Sequence, residues 1–275
     1  MTGTTQMQME GKAPMRSRLQ RIQAFADDAH GASSFGELDI MMKEAACDFG
    51  ADYYLMIHHA DFRGRTHGLI NVGNYPTEFI EISRLNGTLG VDPVMEACER
   101  TLAGFFWCDV GSIVQLTDKH VARTEAVART GLGDGFVVPA HIPGEHLGSC
   151  HFAVGRGKQV PRENSAALQS IAVFGFEAAR RLARERDGSL IEPPALTARQ
   201  RECLVLSARG KSDTTIAQLL GLSPKTVNSY IEEAKKRYGV ATRQQLLAMA
   251  LYSSEITFLD IVDAPPRSRV FSAYN

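Results

Sequence analysis

LSPKTVNSYIEEAKKRYGV, Leu222 to Val240, is the stretch on which the reading of this chain turns. Ser223 followed by Pro224 places an N-cap before a proline at the first helical position, so a helix starts there. Val227, Ile231, Ala234 and Tyr238 recur at helical spacing and form one apolar stripe that must face a core. At about 100° per residue, Lys225, Ser229, Glu232 and Lys236 lie on the opposite side, flanked by Asn228 and Glu233. This polar face, mixed in sign, fits either the solvated side of a small bundle or a helix that enters the DNA major groove. Two adjacent acids oppose the second reading, because a duplex carries about one negative charge per 1.7 Å. Their spacing softens the objection: Glu232 stands four residues before Lys236 and Glu233 four before Arg237, which allows two favourable pairs along the helix. Glu232 can also accept from a cytosine amino group.

The flanks extend the pattern. Thr197 with Gln200 and Thr242 with Gln245 are T-x-x-Q capping boxes, so two further helix starts are specified locally. Gly210 and Gly221 close the first and second helices. Residues 197–252 therefore read as four consecutive helices with no strand, and the second and third, joined by Gly221 and Leu222, make a helix-turn-helix outline. Between Thr197 and Tyr252 nine basic residues face four acids, so this part is locally positive.

The whole chain is not. Its 275 residues, 44% apolar and 22% charged, carry a net charge of −1, which excludes a basic coat and leaves DNA contact to local asymmetry. The length suits two domains, each able to bury its own core. Five cysteines without a C-x-x-C pair favour buried thiols in a reducing compartment over a disulfide frame. The N-terminus lacks an apolar signal core and no run reaches membrane-spanning length, so a cytoplasmic protein without membrane contact is expected. With no G-x-S-x-G, H-E-x-x-H or P-loop sequence, an enzyme is not expected, nor is a cofactor or a metal. His58 and His59, adjacent on a strand, point to opposite faces and cannot share an ion.

Before the helical module the patterns alternate. Residues 1–15 are polar and read as disordered. Two amphipathic helices follow, then strands in ADYYLMIHHA and HGLINVGN around a turn at Arg63, Gly64 and Arg65. Next come a helical TEFIEISRLN, a helix start at Asp92 and Pro93, a short strand FFWCDV, and a helix over 117–130. GFVVPAHI and LGSCHFAV form a hairpin around Pro143, Gly144 and Glu145, and a long helix runs from Asn164 to Arg186. Helices flanking a mainly antiparallel sheet give an α/β/α sandwich over 16–186. DGSLIEPPA, 187–195, is a linker, broken by Pro193 and Pro194. The tail, 253–275, has one apolar run that either docks as a strand or stays loose.

Residues 196–252 closely resemble the DNA-binding domain of LuxR-type transcription regulators. The shared motifs stand here as Leu196, Thr197 and Arg199; Ala208, Gly210 and Ser212; Ile216, Ala217 and Leu220; Ser223, Thr226 and Val227; and Gly239, Val240 and Arg243. Gln200 replaces the family's glutamate, which keeps the capping box and loses a charge. The resemblance implies that Lys225, Asn228, Ser229 and Glu232 approach bases, while Lys211, Thr226 and Lys236 hold phosphates.

It extends, more weakly, into the first domain. In quorum-sensing members this is a sandwich enclosing an acyl-homoserine lactone. GNYPTEFIEISRLNGTLGVDPVMEACERTLAGFFWCDV, Gly73 to Val110, keeps Asn74, Tyr75, Pro76, Asp92, Pro93 and Trp107 at the family spacing, with Gly135 as the late glycine. Phe79 stands where a tryptophan N–H would bind the lactone carbonyl, Ser83 where a tyrosine would bind the acyl carbonyl, and His151 where a small hydroxyl residue is usual. The resemblance makes Tyr75, Phe79, Ser83, Asp92, Trp107, Gly135 and His151 the ligand-site candidates, with Asp92 accepting from the ligand amide. Phe79 and Trp107 are equally readable as core packing, Asp92 as an N-cap, and His151 as a hydrogen-bonded core histidine.

The implied function is a homodimeric regulator reading a palindromic operator, whose sensory domain takes a ligand other than a standard lactone, or none. An atypical acyl-homoserine lactone stays within that class. The alternative is an anti-activator that forms a heterodimer with another LuxR-type protein.

Overall fold

The computed structural model describes residues 17–60, 68–86, 92–142, 145–186 and 195–262. The expected disordered start, the Arg63–Arg65 turn, the linker up to residue 194 and the end of the tail lie outside the described residues.

The first domain opens with α1 (Arg18–Gly31) and α2 (Phe35–Asp48), then β1 (Tyr53–His58), β2 (Asn71–Gly73), α3 (Thr77–Asn86) and α4 (Pro93–Cys98). It continues with β3 (Phe105–Phe106), a 3-10 segment (Trp107–Ser112), α5 (Asp118–Arg129), β4 (Leu132–Pro139), β5 (Gly148–Gly155) and α6 (Ser165–Arg186). Side-chain caps set several starts: Ser17 with Gln20 on α1, Ser34 on α2, Asp92 on α4, and Thr117 with His120 on α5. The expected strand in FFWCDV is shorter than its composition predicts. Only Phe105 and Phe106 pair, opposite Val137 and Phe136, and the chain leaves the sheet at Trp107.

The five strands run in the order β2-β1-β5-β4-β3, with every neighbour antiparallel. Leu55 faces His151 and Ile57 faces Ser149 across the central pair. Successive side chains then divide between the two faces. Tyr54, Met56, Phe136, Val138, Cys150, Phe152 and Val154 pack on one side against α1, α2 and α6, forming the main core. Leu55, Val137 and Ala153 face the other side, where Phe79 of α3, Ala97 and Cys98 of α4, and Val127 of α5 cover them. This is the expected α/β/α sandwich. Among the described residues no helix is long and apolar enough to cross a membrane.

The second domain holds α7 (Ala198–Ala208), α8 (Asp213–Leu220), α9 (Pro224–Tyr238) and α10 (Arg243–Tyr252). Both capping boxes form, and Gly221 and Gly239 adopt the left-handed conformation at their helix ends. Val227, Ile231 and Ala234 are buried with Cys203, Leu204, Ile216, Ala217, Leu246 and Ala250. The tail departs from both expectations. Ile256 is buried in this core, and Phe258–Ile261 form a fifth helical turn, α11, tied down by Arg201 and Arg209 on Asp260.

Gly135 is required by close approach. A Cβ there would overlap the Trp107 indole, which lies across β4. Gly135→Ala should destabilise the first domain by about 1–3 kcal/mol through overpacking, read as a fall in the thermal midpoint; an unchanged midpoint would show that the indole moves freely.

Candidate functional site

The lower face of the sheet, under α3, α4 and α5, is where polar groups collect. The N-Y-P motif places them. The Asn74 side chain accepts from the Tyr54 N–H at 2.7 Å and donates to the Asp52 carbonyl, strapping the segment after β2 to β1. Tyr75 is then turned inward, 8% exposed, edge-on to Phe79 at 5.0 Å and to His151 at 6.3 Å. The Pro76 carbonyl accepts from the Phe79 N–H and starts α3. Burial first, with Cys150 and Asp92 adding, holds the Tyr75 hydroxyl well above the ordinary tyrosine range. That hydroxyl has no protein partner, and neither does the Trp107 Nε1.

Asp92 does two jobs. One carboxylate oxygen caps α4 through the Val94 N–H at 3.0 Å, and the other accepts from Arg123 Nε at 3.1 Å. Arg123 comes from α5, is 5% exposed, donates from one terminal nitrogen to Ser83 Oγ at 2.9 Å, and lies 5.5 Å over the Phe79 ring. Its other terminal nitrogen, NH1, has no partner. Ser83 is therefore an acceptor for a buried guanidinium. Arg123 was not among the sequence candidates; its signal is its place on the inward stripe His120, Arg123, Val127, Thr130 of an otherwise polar helix.

His151 is hydrogen-bonded, as the core reading held, yet it faces the site. Its Nε2 lies 2.7 Å from Ser149 Oγ, which also lies 2.7 Å from His59 Nε2. A hydroxyl has one proton, so at least one of the two imidazoles donates to it. His58 points to the opposite face, where its Nδ1 accepts from the Ile70 N–H and its ring packs on Phe176. Burial lowers His58 and His151 to about 4 and His59 to about 3, neighbouring His151 adding to the last. All three are neutral at pH 7. Unfolding raises each to its ordinary value near 6.5, so the unfolded chain binds more protons between about pH 4 and pH 6.5. Their stabilisation is full above that window and falls with acidification.

In the second domain the helix-turn-helix is α8, Gly221 and Leu222, and α9. Lys225, Asn228, Ser229, Glu232 and Lys236 are exposed on α9, and Lys211 is exposed on the turn before α8. Thr226 is half-buried, its hydroxyl 2.8 Å from Ser223 Oγ beside the N-cap. The acids do not pair as their spacing predicts. Glu232 binds Lys235, at 2.8 Å, and not Lys236; Glu233 accepts from Ser229 Oγ at 3.1 Å, while Arg237 donates to the Ala195 carbonyl. Lys235 lies half-buried beside the stripe that packs inward, within reach of Glu232, and the Ala195 carbonyl draws Arg237 away. Arg199, Arg201, Arg209 and Arg243 are also engaged within the module, on Glu202, Asp260 and Asp213. Among the described residues of the second domain, Lys211, Lys225 and Lys236 are the cations left without a partner.

Lowering the pH from 7 to 5 should cost about 2 kcal/mol for each buried histidine, seen as a falling thermal midpoint of the first domain. His151→Gln should remove one histidine's share of that slope; an identical slope would mean that His151 takes up its proton at the same pH in the fold as in the unfolded chain.

Residues 37–179, more than half of the chain, match the autoinducer binding domain, and residues 194–250 match the bacterial regulatory proteins of the luxR family. The chain is 24% identical over 207 residues to the transcriptional activator protein EchR of Dickeya chrysanthemi, covering 71% of this chain and 82% of that one. It is 26% identical over 214 residues to the quorum sensing-dependent transcriptional regulator RpaR of Rhodopseudomonas palustris, covering 75% and 82%. The fold is that of Escherichia coli SdiA, with a TM-score of 0.65 at 20% identity over 87% of this chain and 99% of that one. SdiA in complex with octanoyl-rac-glycerol gives 0.64 at 20% identity, covering 88% and 97%. The chain belongs to the LuxR family of bacterial regulatory proteins: a transcription regulator, not an enzyme, with an autoinducer binding domain followed by a DNA-binding helix-turn-helix.

Proposed function

We propose that the protein acts as a homodimer on a palindromic operator and that its first domain responds to a ligand other than a standard acyl-homoserine lactone. The observation that carries the DNA half is the set of three free cations, Lys211, Lys225 and Lys236, disposed around an exposed face that also offers Asn228 and Ser229. Lys225, Asn228, Ser229 and Glu232 are assigned to base edges, and Lys211, Thr226 and Lys236 to phosphates. Exposed Val173 and Phe174, adjacent on α6, supply apolar surface for a dimer contact. A cytoplasmic location accords with this reading.

On the ligand side, Phe79 has no donor where the family has an indole, and the Asp92 oxygens are engaged by Val94 and Arg123. SdiA, which shares the fold, has been solved with octanoyl-rac-glycerol, which supports a ligand outside the lactone class. Tyr75, Phe79, Ser83, Asp92, Trp107, Gly135 and His151 remain the candidate lining. The anti-activator alternative has its best support in the acidic pair, and that support is weaker because Glu232 is held against Lys235 of its own helix.

Selection of genomic fragments by the purified protein, followed by footprinting across a salt series, tests the DNA half. Lys211→Ala and Lys236→Ala should each weaken all sites alike and reduce the log-log salt slope by about one. Glu232→Ala should broaden sequence preference, while Glu233→Ala should raise affinity without changing it. Equal effects from the two acids would remove Glu232 as a specificity element. The absence of any specific footprint would favour the anti-activator.

A further inference from the structure

The side chains beneath the sheet form an unbalanced set. Arg123 NH1, the Tyr75 hydroxyl and Trp107 Nε1 are buried donors with no protein partner, and Arg123 and Tyr75 are themselves more than nine-tenths buried. Arg123 rests on Phe79, Tyr75 stands edge-on to the same ring, and Trp107 packs in the same cluster, so the three donors belong to one group of packed side chains. The acceptors there are already committed. Asp92 receives Val94 N–H on one oxygen and Arg123 Nε on the other, Ser83 receives Arg123, and Ser149 lies between two imidazoles. His59 Nδ1, also unpartnered, serves as donor or acceptor according to which way the Ser149 hydroxyl points. Buried donors without acceptors are costly, and a molecule that supplies oxygens to them gains what the protein alone lacks.

Resting on the reading that this domain holds a ligand, we propose that Arg123 sets the ligand class. The ligand has an apolar tail and a head group that presents two or more oxygen acceptors and no N–H, as in an ester, a ketone or a carboxylate. Arg123 neutralises Asp92 and occupies one of its oxygens, which lowers what that carboxylate returns to an amide N–H, and offers its own NH1 to a head-group oxygen. Leu55, Leu132, Val127 and Ala153 give the tail its apolar surround. Arg123 is thus a specificity-determining residue.

Trp107 is the one tryptophan in the chain, so its fluorescence reports binding in the full-length protein. Three probes are titrated: N-decanoyl-homoserine lactone, its ester isostere with oxygen replacing the amide N–H, and sodium decanoate. The ester should bind at least as tightly as the amide. A site that reads the N–H instead loses a hundredfold or more when it is removed, on the order of what buried hydrogen-bonding sites show. A tenfold preference for the amide would overturn the proposal while leaving the ligand-binding reading intact. Tight decanoate binding with neither lactone bound would support it and place a carboxylate on Arg123. No response to any probe at millimolar concentration would overturn the proposal together with the reading beneath it. Arg123→Met frees Asp92 and should shift preference toward the amide by tenfold or more; because this variant removes one half of a buried pair, the wild-type ester-to-amide ratio stands as the deciding measurement.

Discussion

The pairing of β1 with β5 at the centre of a sheet covered on both faces is the constraint on which the first domain depends. With Leu55 opposite His151 and Ile57 opposite Ser149, the pleat sends Tyr54, Met56, Cys150 and Phe152 into the main core and their neighbours to the other side. A slip of one residue would exchange the faces. Ser149, His151 and His59 would then enter an apolar layer between the sheet and α6, where no partner awaits them, and Phe152 would point among polar groups. Register therefore decides where the chemistry can be, before any individual residue is considered.

Two different solutions to polar burial lie on that face. The histidines are kept neutral and share one serine hydroxyl, which avoids the cost of a buried charge altogether. Arg123 and Asp92 stay as an ion pair. Such a pair is weak evidence for stability, because desolvation offsets much of the attraction and an apolar pair of similar volume is often as good. Its presence is better explained by what it does to the site: it consumes the carboxylate and leaves an oriented guanidinium edge. The partnerless donors of Tyr75 and Trp107 are consistent with that account, since a layer selected for stability alone would pair them.

Much of this was readable from the sequence because it is encoded locally. The capping boxes at Thr197 and Thr242, the Ser223–Pro224 start and the inward stripe of α9 concern residues a few positions apart, and the structure reproduces them. The strands of the β4–β5 hairpin were legible for the same reason. Long-range pairing was not. Ser149 and His59 are ninety positions apart, and their contact follows only from the register of β1 on β5. Arg123 looked like one of several charges on a polar helix, since burial of α5 on the sheet is a tertiary fact. The aromatic run at 105–110 has strand propensity throughout, but pairing partners exist for two residues alone. The apolar run around Ile256 reads equally as a docked strand or a loose tail, because nothing nearby in sequence shows the groove between helices that it fills.

The two glutamates of α9 illustrate how a third residue decides a pairing that helical spacing leaves open. Residues three and four apart are both neighbours on a helix, so Glu232 can reach Lys235 or Lys236, and Glu233 can reach Ser229 or Arg237. Arg237 is drawn off by the Ala195 carbonyl, and Lys235 by its half-buried position beside the inward stripe. Glu232 therefore takes the partner that solvent competes for least, Glu233 takes the exposed hydroxyl one turn before it, and Lys236 is left free with Lys225 at the same exposed surface. Pairing does not erase a charge, but Glu232 held against Lys235 presents a dipole whose field falls off faster than that of a lone charge, whereas Glu233, held by a neutral hydroxyl, keeps its full charge. At the distance of a phosphate backbone Lys225 and Lys236 outweigh the one acid without a cation, Glu233, and at the distance of a base edge Glu232 is still an acceptor. Opposition between the acids and DNA is thus a matter of range, which is why a locally positive module can carry two glutamates in the middle of the helix that approaches the groove.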